Sequence, residues 1–189
     1  MLTVSKLSKR YGDRAVFRDV NFEVSRGSVA AIVGSNGAGK STLLRILAGL
    51  LRPASGEIRW QNDDVRRGLF APDAPVYREL TVQENLEFFA RAQTESIDIP
   101  AHLARFNLST RRFDFAGDLS SGWRARLQLA VATLGAPGVL LLDEASAHLD
   151  GDGLGLLHGV LDAQREHGIA LVATNDPREA ARCDFQIIL

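Results

Sequence analysis

Apolar and polar positions alternate through Val20, Asn21, Phe22, Glu23 and Val24, the period of a strand with one buried face, and Arg26-Gly27 breaks the pattern. Val29 to Val33 is then an unbroken apolar run, which predicts a strand buried on both faces. A glycine-rich segment follows at once, and Leu43, Leu44, Leu47 and Leu50 recur at helical spacing within Thr42 to Leu51. Residues 52 to 76 hold Pro53, Gly56, Gly68, Pro72 and Pro75 and predict turns and short strands; the charges Asp63, Asp64, Arg66 and Arg67 read as a solvated turn. Thr81, with Glu84 three residues on, forms a capping box ahead of Leu86, Phe88 and Phe89. The stretch from about 78 to 117 reads as an inserted helical subdomain with boundaries near Pro100 and Asn107.

Leu119 opens a further helix that runs to about Leu134 and stops at Pro137-Gly138. Val139 to Leu142 predicts a second buried strand, ending in Asp143-Glu144. Leu154 to Glu166 is helical, Ile169 to Thr174 a third apolar strand, Arg178 to Arg182 a helical turn and Phe185 to Leu189 a last strand. Strands alternating with helices imply an α/β fold with a mostly parallel sheet covered on both faces.

Composition narrows the class. The 189 residues, 46% hydrophobic and 24% charged, fit one globular domain with a sizeable core. With 22 basic and 23 acidic residues the formal charge is −1, which argues against a sequence-independent grip on nucleic acid, so no nucleic-acid partner is expected. A single cysteine, Cys183, excludes an internal disulfide. There is no run of eighteen apolar residues, and the start of the chain lacks the apolar centre of a secretory signal, so any membrane role is expected through a partner.

The chemistry is concentrated in two segments. Gly34-Ser35-Asn36-Gly37-Ala38-Gly39-Lys40-Ser41 satisfies G-x(4)-G-K-[ST] between a predicted strand and a predicted helix. Glycines let the backbone curl so that successive N–H groups point at phosphate oxygens, and the helix N-terminus adds its positive end. Lys40 is placed to reach the β- and γ-phosphates and Ser41 to hold Mg²⁺. About a hundred residues downstream, Asp143 ends a buried strand where a carboxylate can reach the same ion, and Glu144 can polarise an attacking water as general base.

With these two motifs in place, the chain resembles the nucleotide-binding domain of ABC transporters over nearly its whole length. Leu119-Ser120-Ser121-Gly122-Trp123 stands where that family has its LSGGQ signature, Ser146 to Asp150 looks like its D-loop, and Tyr11 matches the aromatic that stacks on adenine. The resemblance implies a P-loop NTPase of RecA-like type, a single ATPase domain over 1–189. It has a nucleotide-binding core with an N-terminal antiparallel β subdomain (1–77 and 118–189) and a helical signature subdomain (78–117). It also implies ATP and Mg²⁺ as cofactors, with Gly34 to Thr42 and Tyr11 holding the nucleotide. Two subunits, identical or paired, would face head to tail, so that Ser120, Ser121 and Gly122 of one touch the γ-phosphate on the other. The family further implies integral membrane transporter subunits as partners and a cytoplasmic position, peripheral on the inner face of the membrane.

Three positions depart from the family. Asp73 stands in place of the Q-loop glutamine, where it could still give Mg²⁺ an oxygen; Asn175 replaces the switch histidine and can hydrogen-bond a γ-phosphate but not shuttle a proton; Trp123 replaces the final glutamine of the signature. These changes bear on hydrolytic rate more than on binding. Lys40, Glu144 and Asn175 are the expected catalytic residues, and Ser41, Asp73 and Asp143 the expected metal ligands. His148 is expected to pack and hydrogen-bond within the D-loop. Within the family the sequence looks most like the ATPase of the haem-exporter-type system used in cytochrome c maturation. The alternatives are a soluble ABC-type ATPase and a weakly hydrolysing, nucleotide-sensing regulatory subunit. A transporter role predicts a groove near Val76, Tyr77, Phe88 and Phe89 for a short helix of a membrane partner, unless those aromatics pack the subdomain's own core.

Overall fold

The computed structural model describes residues 1–61, 65–74, 76–92 and 96–189. Asp63, Asp64 and Pro75 lie outside the described residues. Two sheets form the frame. In the first, β1 (Leu2–Tyr11) lies between β2 (Arg14–Val24) and β4 (Ser55–Trp60), antiparallel to both. The second is wholly parallel and runs in the order β5 (Arg67–Phe70), β6 (Val139–Asp143), β7 (Ile169–Ala173), β3 (Val29–Val33) and β8 (Phe185–Ile188).

The unbroken apolar runs become the middle strands, as burial on both faces requires. Every residue of β6 and β7 is buried. Their side chains alternate between two cores. Leu140, Leu142, Ala170 and Val172 face the layer of α4 (Ser121–Ala132) and α5 (Gly151–His167), while Val139, Leu141, Ile169 and Leu171 face α1 (Lys40–Leu47) and the antiparallel sheet.

Between β5 and α4 come α2 (Val82–Ala90) and α3 (Ile99–Arg105). The capping box is formed: Thr81 Oγ1 accepts from the Glu84 backbone N–H at 3.2 Å, and Glu84 Oε2 accepts from the Thr81 N–H at 2.8 Å. The loss of backbone amide solvation is thereby made good at both donors, and the same bonds hold the Glu84 carboxyl below its ordinary range. The boundary expected near Pro100 is the start of α3, in whose first turn the proline's missing N–H leaves no bond unmade.

Three expectations are corrected. The first helix begins at Lys40 and ends at Leu47, not Leu51: Gly49 adopts φ 80°, the chain turns away, and Leu50 is 65% exposed instead of continuing the apolar face. Arg67 belongs to a strand, β5, and its guanidinium lies 4.8 Å from the Trp60 ring centroid. The final α6 is a single turn over Pro177–Ala180, started by Asp176, which caps the Arg178 N–H. No helix among the described residues is long and apolar enough to cross a membrane.

Candidate nucleotide site

The parallel order brings the carboxyl ends of β3, β6 and β7 side by side, and every catalytic residue expected from the sequence lies at one of them. After β3 the loop curls through Gly37 at φ 83° and Gly39 at φ 102°. A Cβ on Gly39 would stand 2.5 Å from Val16 Cγ1 and 2.9 Å from Phe17 Cδ1, so glycine is needed for both the backbone turn and the approach of β2. Gly39 caps α1 with no side-chain hydrogen bond and no acid follows in the first turn, which leaves the amides of that turn facing outward for an anion.

Lys40 is 5% exposed, and its ammonium donates to Gly34 O at 2.9 Å, Ser35 O at 3.3 Å and Asn175 Oδ1 at 2.8 Å. A buried charge with three acceptors is held in one place, at the mouth of the loop. Ser41 Oγ donates to Asp143 Oδ1 at 3.0 Å. Burial pushes the Asp143 carboxyl above the usual carboxylate range; the Ser41 bond and the Arg45 charge oppose that, while Glu144 and Asp73 add to it. Hard oxygen donors on a desolvated carboxylate and a hydroxyl suit Mg²⁺, which takes one or two protein ligands and completes its shell with phosphate and water. No cluster of three or more His, Cys, Asp or Glu side chains able to hold a metal occurs among the described residues.

Glu144 follows β6 at φ 50°, a conformation a non-glycine residue adopts only under constraint; its N–H donates to Ala173 O at 2.9 Å. That bond anchors it on β7, beside the residue that follows the strand. Asn175 is the hub of the site: its Nδ2 donates to Glu144 Oε1 and to Asn36 Oδ1, both at 2.8 Å, while its Oδ1 accepts from Lys40. Asp73 lies apart from this network. Its carboxylate accepts two hydrogen bonds from Arg45 Nη2, at 2.9 and 2.8 Å, on the exposed side of α1.

A cavity of about 450 Å³ opens over the loop, lined by Tyr11, Arg14, Ala15 and Val16, by Asn36, Gly37 and Gly39 to Thr42 of the loop, and by Glu144. Tyr11, 55% exposed, pairs across the hairpin with Arg14, so both side chains leave the same face of the sheet. Lys9 Nζ sits 5.0 Å from the Tyr11 ring centroid. Sequence reasoning missed Arg14, Ala15 and Val16; the turn Gly12-Asp13 after Tyr11 was the available signal for a hairpin that returns the chain to the same cavity.

The signature turn is not in the wall of that cavity. Ser120 starts α4 as its N-cap without using its side chain, and Ser120 and Ser121 are exposed, so the first amides of α4 form a second outward-facing helix end. Past Glu144 a short 3-10 turn (Ala145–His148) leads to Asp150, the cap of α5. His148 is exposed on that turn. Ser146 Oγ donates to Glu179 Oε2 at 2.9 Å. Of the aromatics near α2, Val76 and Phe89 pack against the core, whereas Tyr77 and Phe88 are 41% and 46% exposed, with ring centroids 4.7 Å apart.

Comparison with known proteins agrees with this geometry. Residues 17–147 match the ABC transporter family. The lantibiotic transport ATP-binding protein SrtF of Streptococcus pyogenes is 30% identical over 183 residues, covering 93% of this chain and 80% of its own. The cytochrome c biogenesis ATP-binding export protein CcmA of Cupriavidus pinatubonensis is 35% identical over 195 residues, covering 93% of this chain and 83% of its own. Among solved structures, an ATP-binding subunit of an ABC transporter superposes with TM-score 0.90 at 30% identity, over 100% of this chain and 85% of that one. The cassette MJ0796, described as dimeric and bound to ADP and Pi, superposes with TM-score 0.86 at 22% identity over 100% and 94%. A strand–glycine loop–helix with its lysine and serine, a paired Asp143 and Glu144, and this extent of likeness all say that the chain belongs to the ABC transporter family, as one of its ATPase subunits.

Proposed function

We propose that the chain binds Mg-ATP between two of its copies arranged head to tail, and that closing and reopening of the pair drives export by separate membrane subunits. The observation that carries the reading is that Lys40, Ser41 and Glu144 line one cavity walled by Tyr11, with Asp143 hydrogen-bonded to Ser41 and Asn175 to both Lys40 and Glu144 behind them. On this reading Tyr11 stacks on the base and the amides of Gly34 to Lys40 wrap the phosphates. Ser41 and Asp143 would hold Mg²⁺, which when bound would neutralise phosphate charge. Glu144 accepts a proton from the attacking water, and Asn175 holds that carboxylate through one N–H while the other, released from Asn36, turns to the terminal phosphate. The exposed helix end at Ser120 to Gly122 of the second copy completes the γ-phosphate site, so hydrolysis removes the group that joins the two subunits. The dimer is supported by the dimeric MJ0796 cassette.

The division into a core (1–77 and 118–189) and a helical subdomain (78–117) belongs to the same reading. The exposed pair Tyr77 and Phe88 would receive a short helix of a membrane partner, and on this reading the chain works at the inner face of the membrane. Likeness to the cytochrome c biogenesis export protein CcmA, at 35% identity, supports the finer assignment to a haem-exporter-type system of cytochrome c maturation, and likeness to the lantibiotic transport protein SrtF, at 30%, supports lantibiotic transport instead.

The test is size and turnover together. Native protein should hydrolyse ATP in a Mg²⁺-dependent way. Glu144→Gln should abolish turnover while Mg-ATP converts the protein from monomer to dimer in light scattering. A Glu144→Gln protein that stays monomeric with saturating Mg-ATP, or that hydrolyses like the native protein, refutes the reading.

A further inference from the structure

Trp123, the residue in place of the signature glutamine, lies against two guanidiniums. Arg126 Cζ is 4.5 Å and Arg111 Cζ 4.7 Å from its ring centroid. Arg111 comes from the helical turn Ser109–Arg111 and is paired with Asp114 at 3.0 Å. Arg126 comes from α4, is 3% exposed, and donates from Nη2 to Asp150 Oδ1 at 2.5 Å, with Asp152 Oδ2 at 3.8 Å. Its buried Nε has no hydrogen-bond partner among the described residues, so the charge depends on Asp150 and the indole face for its stabilisation. Asp150 in turn accepts from the Gly153 N–H at 2.8 Å as the cap of α5, and the Arg126 bond holds its carboxyl below the ordinary range. Asp150 closes the segment that begins at Glu144. A single chain of contacts thus runs from the helical subdomain through the signature turn to the loop carrying the base: Arg111, Trp123, Arg126, Asp150.

We propose that Trp123 is a positioning residue that ties the signature turn of a subunit to the loop bearing its own Glu144. Seating Ser120 to Gly122 on the partner's phosphate then sets Glu144 in the same subunit, and the two ATP sites act together. The argument is chemical. A glutamine offers no π face to a buried guanidinium, so the stack is a property of the aromatic ring and not of the position. Loss of the ring exposes Arg126 to water and weakens its hold on Asp150, whose remaining hydrogen bond is then the cap to the Gly153 N–H. The inference rests on the head-to-tail pair proposed above.

The experiment compares full-length native protein with Trp123→Leu, Trp123→Phe and Asp150→Asn, the last chosen because asparagine still caps α5. Steady-state ATPase is measured against ATP concentration, thermal melting against folding, and binding of a fluorescent ATP analogue against site integrity. Trp123→Leu and Asp150→Asn should lower the Hill coefficient to one and cut kcat by about tenfold to a hundredfold, with binding of the analogue unchanged. Trp123→Phe should restore both. Native kinetics in Trp123→Leu, a native Hill coefficient of one, or losses that follow the melting temperature and are not rescued by phenylalanine would each overturn the proposal. Formation of a dimer by the Glu144→Gln protein separates that failure from failure of the sandwich itself.

Discussion

Asn175 Nδ2 donates to Glu144 Oε1 at 2.8 Å, joining the second residue after β7 to the residue that follows β6. An amide in that position can orient a carboxylate at any pH, because it has no proton to gain or lose between pH 5 and 8. Replacing Asn175 with His should therefore bring into the pH–rate profile a titration near the ordinary histidine value, about 6.5, that the native profile lacks. Asn175→Ala should lower kcat by about tenfold or more, because Glu144 and Lys40 lose a common partner. Steady-state ATPase from pH 5.5 to 8.5 checks both; profiles that coincide for native protein and Asn175→His would show that this contact does not govern turnover.

The Ser41–Asp143 bond predicts a metal-specific defect. Removing the hydroxyl in Ser41→Ala takes away one of two oxygen donors without opening the loop, so the Mg²⁺ concentration for half-maximal turnover should rise by at least about tenfold, on the order of one lost ligand bond. Nucleotide binding without Mg²⁺ should change little. Titration of ATPase with Mg²⁺ and of analogue binding in chelator distinguishes the two effects.

The loop itself makes a prediction through geometry. Gly39→Ala places a Cβ where Val16 and Phe17 already stand and forces an L-residue to φ 102°. Backbone strain of about 1–3 kcal/mol and displacement of β2 from the loop should together abolish binding of the ATP analogue, while circular dichroism stays native. Gly151→Ala, with nothing near its Cβ position, should leave binding intact and serves as the contrast.

What could be read from the sequence was local. The capping box at Thr81 and Glu84 needs four residues and was legible; so were β6 and β7, whose burial on both faces leaves no polar position to confuse the period. The end of α1 was misread because Leu50 keeps the helical spacing, while the left-handed Gly49 before it is the physical stop. Within the site, the loop and the Asp143–Glu144 pair announce themselves by residue type. Arg14 and Val16 do not, since their place in the cavity comes from a hairpin folding over the loop. The pairs Arg45–Asp73 and Arg126–Asp150 join residues far apart in the chain, and no periodicity encodes them.

Cys183 illustrates how burial sets reactivity. Desolvation is the main cause that pushes its thiol up to about 11, with the charges of Glu179 and Asp184 adding to it and that of Arg165 opposing, and its Sγ lies 3.6 Å from Glu179 O. At pH 8 the thiolate fraction is then about a hundredfold below that of an ordinary cysteine. A disulfide reagent such as DTNB should modify native protein slowly and guanidinium-unfolded protein at once. Equal rates in the two states would show that the thiol is not shielded.

His102 sets a direction for stability with pH. It lies against α4, where its Nε2 meets Ala130 O at 2.8 Å and its ring centroid stands 5.1 Å from that of Phe106. Desolvation lowers its pKa from the ordinary value; the Ala130 contact opposes the shift and the Arg105 charge adds to it. The unfolded chain therefore takes up this proton first as pH falls. The stability contributed by neutral His102 is complete above the unfolded value, about 6.5, and is lost as pH drops through that value towards the folded one. Thermal melting should decline between pH 7.5 and 5.5, and His102→Gln, which keeps an N–H to offer Ala130, should show a shallower decline over the same interval. Equal slopes for the two proteins would place the pH dependence on other groups.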